Sequence, residues 1–214
     1  MQFLEITNFY EFLLAGIVLI ITPGADTMYI IGRSIAQGKR AGIYSVLGIS
    51  SGILVHTIFA SLGLSVILAK SALAFMIVKY LGAAYLIYLG IKMLAQGGGK
   101  DVLAESIAPD KASYQKIYFS GMLTNVLNPK VALFFLAFLP QFVAPSISDP
   151  MLPFLFLGTV FTLTATVWTL SLALFAAAFS KKIIRNPAIQ TWLNKISGSV
   201  FILLGVKLAF TQRD

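Results

Sequence analysis

A chain of 214 residues that is 58% hydrophobic and only 11% charged is not built like a soluble domain, in which about a quarter of residues carry charge. With a mean hydropathy of +0.87 it reads as an all-α integral membrane protein. The net charge of +8 does not mark a nucleic-acid surface, because the basic residues gather between apolar runs and not along one face; the absence of cysteine excludes disulfides and thiolate metal sites.

Six apolar segments follow one another, at about 9–36, 41–69, 74–95, 115–142, 151–180 and 192–212. A helix needs about 20 residues to cross roughly 30 Å of hydrocarbon, so each is long enough to span. The N-terminus does not read as a cleavable signal, since Glu5 and Glu11 stand where basic residues would precede the apolar run.

The first segment carries three formal charges, Glu11, Asp26 and Arg33. Thr22-Pro23-Gly24-Ala25-Asp26 falls near its middle. Proline removes a backbone donor and clashes with the preceding turn, and glycine permits a sharp change of direction. The first span is therefore expected to break near mid-membrane with an acid beside the break. An intramembrane carboxylate costs about 2.5–3.5 kcal/mol on insertion scales and marks a functional position by default. Asp26 reads as a proton carrier or as the partner of a substrate amine; the competing reading is a structural cap on the second half of the broken helix.

In the second segment His56, the single histidine, shares a four-residue spacing with Gly48, Gly52 and Ala60. That seam of small residues lets helices approach closely. His56 reads as a neutral histidine bonded between helices, with a proton relay as the alternative. The fourth segment holds Asn125 and Asn128-Pro129-Lys130, so Pro129 breaks it as Pro23 breaks the first. Lys130 is expected to lie near Asp26, either as a static pair or as part of a substrate site. In the fifth segment Thr159, Thr162, Thr166 and Thr169 share one helical face, where they line a polar path or bond back to their own helix.

Eleven basic residues fall in the first, third and fifth connections and four on the opposite side, with Lys130 set aside. This bias puts the odd connections in the cytoplasm and both termini outside. Lys79-Tyr80-Leu81-Gly82 through Gly90-Ile91-Lys92 matches Lys195-Ile196-Ser197-Gly198 through Gly205-Val206-Lys207, with one slip in register. A three-span unit used twice inserts in opposite orientations. The expected fold is six transmembrane helices as two inverted three-helix repeats, with the first and fourth helices broken near mid-membrane. It forms one membrane-embedded domain over 1–214, repeat 1 being about 1–96 and repeat 2 about 114–214.

Taken together, several stretches carry a family likeness. They are Thr22 to Asp26, Gly38-Lys39-Arg40-Ala41-Gly42, Leu81 to Leu86 with Leu89 to Lys92, and Leu127 to Lys130 followed by Phe134-Phe135 and Leu139-Pro140-Gln141-Phe142. Over nearly its whole length the chain resembles the LysE/RhtB-type amino-acid exporters. Ala25 stands where that family commonly has a second proline. The resemblance implies a small secondary exporter of amino acids or related metabolites, driven by proton antiport, in the bacterial cytoplasmic (inner) membrane. It also implies that Asp26 and Lys130 are site residues. Around them Thr22, Asn125, Asn128 and His56 are the remaining candidates for substrate binding or proton coupling, and Pro23, Gly24 and Pro129 make the breaks. An amino acid could place its ammonium on Asp26 and its carboxylate on Lys130 and the helix N-termini, and a single acid at mid-depth favours a neutral side chain.

No enzyme motif is present: HExxH, GxSxG and Walker patterns are all missing, so the chain is not expected to be an enzyme. No cofactor and no metal site is expected, since one histidine cannot hold a metal alone. The expected partners are a small amino-acid-like molecule, protons and the lipid bilayer, and a homo-oligomer is compatible with the sequence. Two other functions stay open, a cation or metal exporter of related architecture and a non-transporting membrane scaffold.

Overall fold

The computed structural model describes residues 5–64, 72–95, 112–144, 147, 150–178 and 187–210. Among these residues seven α-helices occur in chain order: α1 (Phe9–Ile21), α2 (Ala25–Phe59), α3 (Ala72–Ala95), α4 (Tyr114–Val126), α5 (Pro129–Leu133), α6 (Met151–Ala178) and α7 (Pro187–Phe210). A π-helical turn, Ala60–Leu64, extends α2. A second π turn, Phe134–Phe138, and a 3-10 turn, Leu139–Phe142, extend α5. Ala25–Leu62 and Met151–Ala176 are long and apolar enough to cross a membrane, and Tyr114–Val126 with Pro129–Phe142 qualifies as a pair bent by 47°. Phe9–Ile21 and Gly198–Phe210 are apolar but shorter.

α2 is two arms, not one rod. Gly38 has φ +81° and ψ −174°, a conformation open to glycine and strained for any other residue. In a continuous helix residues eight apart lie about 12 Å apart. Here a Cβ on Gly42 would lie 2.3 Å from Ser34 Oγ, so the chain reverses at Gly38. The connection read from the sequence between the first two segments is thus a single residue, with Arg33 on one arm and Lys39 and Arg40 on the other.

Close packing fixes helix directions. Gly48 and Gly52, in the arm 39–59, press against Tyr118, Met122 and Asn125 of α4, and the numbers rise together, so these two run parallel. The same arm meets α6 through Gly42 with Ala173, Ser50 with Thr166 and Thr57 with Gly158, which is antiparallel. α3 and α7 are antiparallel too: a Cβ on Gly90 would come within 2.6 Å of the Gly198 carbonyl, one on Gly198 within 2.7 Å of the Gly90 carbonyl, and one on Gly205 within 2.8 Å of the Ala83 carbonyl. Three of the four glycines that match between the third and sixth segments, Gly90, Gly198 and Gly205, are therefore places where those helices touch, whereas Gly82 packs on Ala137. Such close approach is how small residues bind membrane helices together.

The core is aromatic. Phe12, Phe134, Phe135, Phe138, Phe142 and Phe161 contact one another at ring separations of 5.1–6.4 Å. Lys79, assigned from the sequence to the outer connection, instead lies within α3 with only 7% of its surface exposed, its ammonium 4.5 Å from the Tyr80 ring centroid. The connection 96–111, together with Lys181, Lys182 and Arg185, lies outside the described residues.

Candidate functional site where two helix breaks meet

Both expected breaks are present. Thr22 has φ −59° and ψ +120°, the extended conformation imposed on a residue before proline. Gly24 is extended as well, and the helix resumes at Ala25. Ala25 is the first helical residue, the place where proline is best tolerated. Pro23 and Gly24 make the break without a second proline. At the other break Leu127 leaves the helix, Asn128 caps the next one by accepting from the Lys130 N–H at 3.0 Å, and Pro129 occupies the first helical position.

The two interrupted segments lie antiparallel along their length. At one end Thr7 N–H donates to the Phe142 carbonyl, Ala144 N–H donates to the Glu5 carbonyl, both at 2.9 Å, and Ile6 forms an antiparallel bridge with Val143. At the other, Tyr29 Oη donates to the Ile117 carbonyl at 2.7 Å, and the Gln37 amide donates to the Ala112 carbonyl at 3.0 Å while accepting from its N–H at 3.2 Å. Between these ends the breaks come face to face.

Lys130 and Asp26 both lie at this junction but do not form a salt bridge. Lys130 Nζ donates to the Leu19 carbonyl at 3.2 Å and the Thr22 carbonyl at 3.0 Å. It therefore caps the C-terminal end of α1, where exposed carbonyls attract a cation. Asp26 lies in the first turn of α2, where the dipole favours an anion. Its Oδ2 accepts from Asn125 Nδ2 at 2.8 Å. The direct pairing read from the sequence is replaced by these two sets of contacts, because helix-end carbonyls reach the ammonium first.

Asn125 is the hub. It is fully buried, and its side chain holds Asp26. Its carbonyl accepts from the Asn128 N–H at 2.9 Å and bonds His56 Nε2 at 3.1 Å. A carbonyl only accepts, so His56 Nε2 carries the proton. Bonded between helices, His56 also stacks near Phe135, with ring centroids 5.9 Å apart. Thr22 is buried and its hydroxyl turns back to the Val18 carbonyl at 2.6 Å; its carbonyl, not its hydroxyl, faces Lys130.

Three polar atoms at the junction are buried without a hydrogen-bond partner among the described residues: Asp26 Oδ1, Asn125 Oδ1 and Asn128 Nδ2. A carboxylate cannot donate, so the Asn125 amide must present its NH₂ to Asp26 and its oxygen elsewhere. Buried unpaired groups each carry a desolvation cost of about 1–3 kcal/mol. Two of the three are acceptors and one is a donor, and Asn125 Oδ1 lies on the side where α4 packs against Gly52.

Other polar groups are spent locally. Thr159, Thr162, Thr166 and Thr169 each donate to the carbonyl four residues earlier, at 2.7 Å; Thr166 also bonds Ser50 at 2.8 Å. Sequence reasoning missed Gln37 and Tyr29 as ties between the broken segments. Both are ordinary polar residues on an apolar arm, and only their partners distinguish them.

The match to known proteins extends over this whole arrangement. A membrane protein of Bacillus subtilis, YrhP, is 35% identical over 198 residues, 89% of this chain and 92% of its own. A membrane protein of Vibrio cholerae is 33% identical over 207 residues, 96% of this chain and 98% of its own. The homoserine/homoserine lactone efflux protein of Salmonella typhimurium is 31% identical over 200 residues, 94% of this chain and 95% of its own. No solved structure matches the chain significantly. The LysE type translocator family matches residues 17–212; that stretch takes in both breaks, every residue of the junction and all of α2 to α7, and the chain belongs to this family.

Proposed function

We propose that the protein is a secondary transporter that exports amino acids or related small metabolites from the bacterial cytoplasm by proton antiport. The supporting observation is the junction of two antiparallel broken helices around a partly buried acid, Asp26, whose Oδ1 is buried and unpartnered among the described residues, the type of construction secondary transporters use for substrate and coupling ion. One carboxylate oxygen can be held by a bound proton or by a substrate ammonium, not by both. Asp26 Oδ1 is thus the point at which the two exclude each other, and exclusion at a shared site is what antiport requires.

The fold belonging to this reading is six spans in two inverted repeats, about 1–96 and 114–214, within one domain over 1–214, with both termini outside the inner membrane. The observed helix directions agree with it: the second span parallel to the fourth and antiparallel to the fifth, and the third antiparallel to the sixth. Asp26 couples protons and substrate, Asn125 and Asn128 bind, His56 and Thr22 position the array, and Lys130 holds the break. The efflux named for the Salmonella relative supports small amino-acid-like substrates.

Counterflow in proteoliposomes tests this. Vesicles loaded with unlabelled homoserine should accumulate external labelled homoserine, and an imposed pH gradient should drive uptake without other ions. A panel of labelled amino acids that exchange no faster than in protein-free vesicles defeats the proposal.

A further inference from the structure

α4 lies against both arms of α2, and the two contacts differ in kind. The arm 39–59 is locked to it. A Cβ on Gly48 would lie 2.2 Å from the Tyr118 carbonyl oxygen, and one on Gly52 2.9 Å from that of Met122, so backbone rests on backbone. The arm 25–37 meets α4 through a polar seam instead. Asp26, Tyr29, Arg33 and Gln37 stand at offsets of three, four and four, on one helical face. Asp26 accepts from the Asn125 amide, Tyr29 donates to the Ile117 carbonyl, and Gln37 makes its reciprocal pair with Ala112. Arg33 joins Tyr29 to Gln37: it donates to Gln37 Oε1 at 3.2 Å, with its guanidinium 5.7 Å from the Tyr29 ring centroid.

Tyr29 and Gln37 thus stand between Asp26 and the end of the arm next to Lys39 and Arg40, which the basic-residue bias assigns to the cytoplasm. Both ties join a side chain to backbone, and water can take the place of either partner. Backbone packed on backbone has no such substitute. The arm is also bounded by two interruptions. Pro23 and Gly24 break the helix at one end, and Gly38 reverses it at the other, where nothing lies within 4 Å of an added Cβ. Hinges of a few residues at element ends are how rigid segments swing. Ser34 touches Gly42 beside the reversal, close to the pivot, where displacement is smallest. Ile30 and Ile31 are buried, but packed side chains slide past one another in shear motions.

Resting on the transport reading, we propose that the arm 25–37 is the inner gate. It tilts away from α4 about Gly24 and Gly38, Tyr29 and Gln37 release the Ile117 and Ala112 backbone, and the opened seam leads from the cytoplasm to Asp26. Asp26 rides on the moving element, so whatever its carboxylate holds travels with the gate.

The chain has no cysteine, so two cysteine pairs can test the two seams in proteoliposomes of the full chain. Gln37→Cys with Ala112→Cys spans the gate. Ser51→Cys with Tyr118→Cys spans the locked seam, where the native side chains bond at 2.8 Å. Each pair is bridged with a short bifunctional methanethiosulfonate, and counterflow of labelled homoserine is followed before bridging, after it and after reduction. Bridging 37 to 112 should stop counterflow and reduction should restore it, while bridging 51 to 118 should leave it unchanged. A second measurement needs no bridge. Ser120→Cys, across the seam from Tyr29, is labelled from the cytoplasmic side of inside-out vesicles with a small water-soluble methanethiosulfonate. Adding Gln37→Ala should speed this labelling by about fivefold or more, the factor given by one lost hydrogen bond. Counterflow that continues through the 37–112 bridge, equal loss through the 51–118 bridge, or unchanged labelling of Ser120→Cys each overturns the gate and leaves the transport reading standing. Absence of counterflow in the unaltered chain removes the transport reading, and the labelling rates then decide by themselves whether the arm opens.

Discussion

Lys130 Nζ lies 3.0 Å from the Thr22 carbonyl and 3.2 Å from that of Leu19, so the lysine of one broken segment holds the end of the other. Asp26 is bonded instead to Asn125. Charge at this junction is distributed between helix ends and not concentrated in an ion pair, which changes what mutation should do.

Lys130→Met removes two charge-assisted hydrogen bonds, each worth about 1.5–3 kcal/mol, and should lower the unfolding midpoint in detergent. Had the two side chains been directly paired, deleting both would have recovered much of that loss. Given the observed contacts, Asp26→Asn with Lys130→Met should stay close to the sum of the single losses. A double-mutant cycle measures this, and recovery of more than about half the Lys130→Met loss would show direct coupling.

Asp26→Asn keeps an oxygen for Asn125 Nδ2 but removes the carboxylate. Stability should change by less than about 1 kcal/mol, the scale of one hydrogen bond, while gradient-driven transport disappears. Efflux assays alongside thermal unfolding separate the two effects. Transport at the normal rate would take Asp26 out of the mechanism.

Gly48→Ala should be among the most damaging single-methyl additions. Its Cβ would lie 2.2 Å from the Tyr118 carbonyl oxygen, and backbone cannot move aside as a side chain can, so a loss of about 1–3 kcal/mol or more is expected. At Gly38 nothing lies within 4 Å of a new Cβ, yet φ is +81°. Gly38→Ala should cost about 1–3 kcal/mol from backbone strain alone. Melting curves in detergent report both, and an unchanged midpoint for Gly38→Ala would mean the reversal at this residue is not strained.

Residues 5–7 are tied to 142–144, whereas Ser113 begins the opposite end of the fourth segment. The chain has no cysteine, so single cysteines can be placed cleanly. Glu5→Cys and Ala144→Cys should react with an impermeant maleimide from the outside of intact cells, and Ser113→Cys only after permeabilisation. Labelling of all three from one face would rule out a crossing of the membrane between Ser113 and Ala144.

What the sequence determined by itself is whatever follows from chemistry within a few residues. Pro23 and Pro129 break their helices because a missing N–H and a ring clash need no tertiary partner. The threonines of α6 bond to their own backbone for the same local reason. Composition made the chain a membrane protein, and the family resemblance was carried by contiguous motifs. Partners across the fold were another matter. Asp26 and Lys130 were visible as isolated charges, but nothing local says that one would find Asn125 and the other the carbonyls of Leu19 and Thr22. That depends on how each helix is rotated about its axis, which is decided by where glycines such as Gly48, Gly52, Gly90 and Gly198 let backbones touch. The burial of Lys79 and the three unpartnered atoms at the junction arise in the same way: each is set by packing between distant segments, and only the tertiary structure decided them.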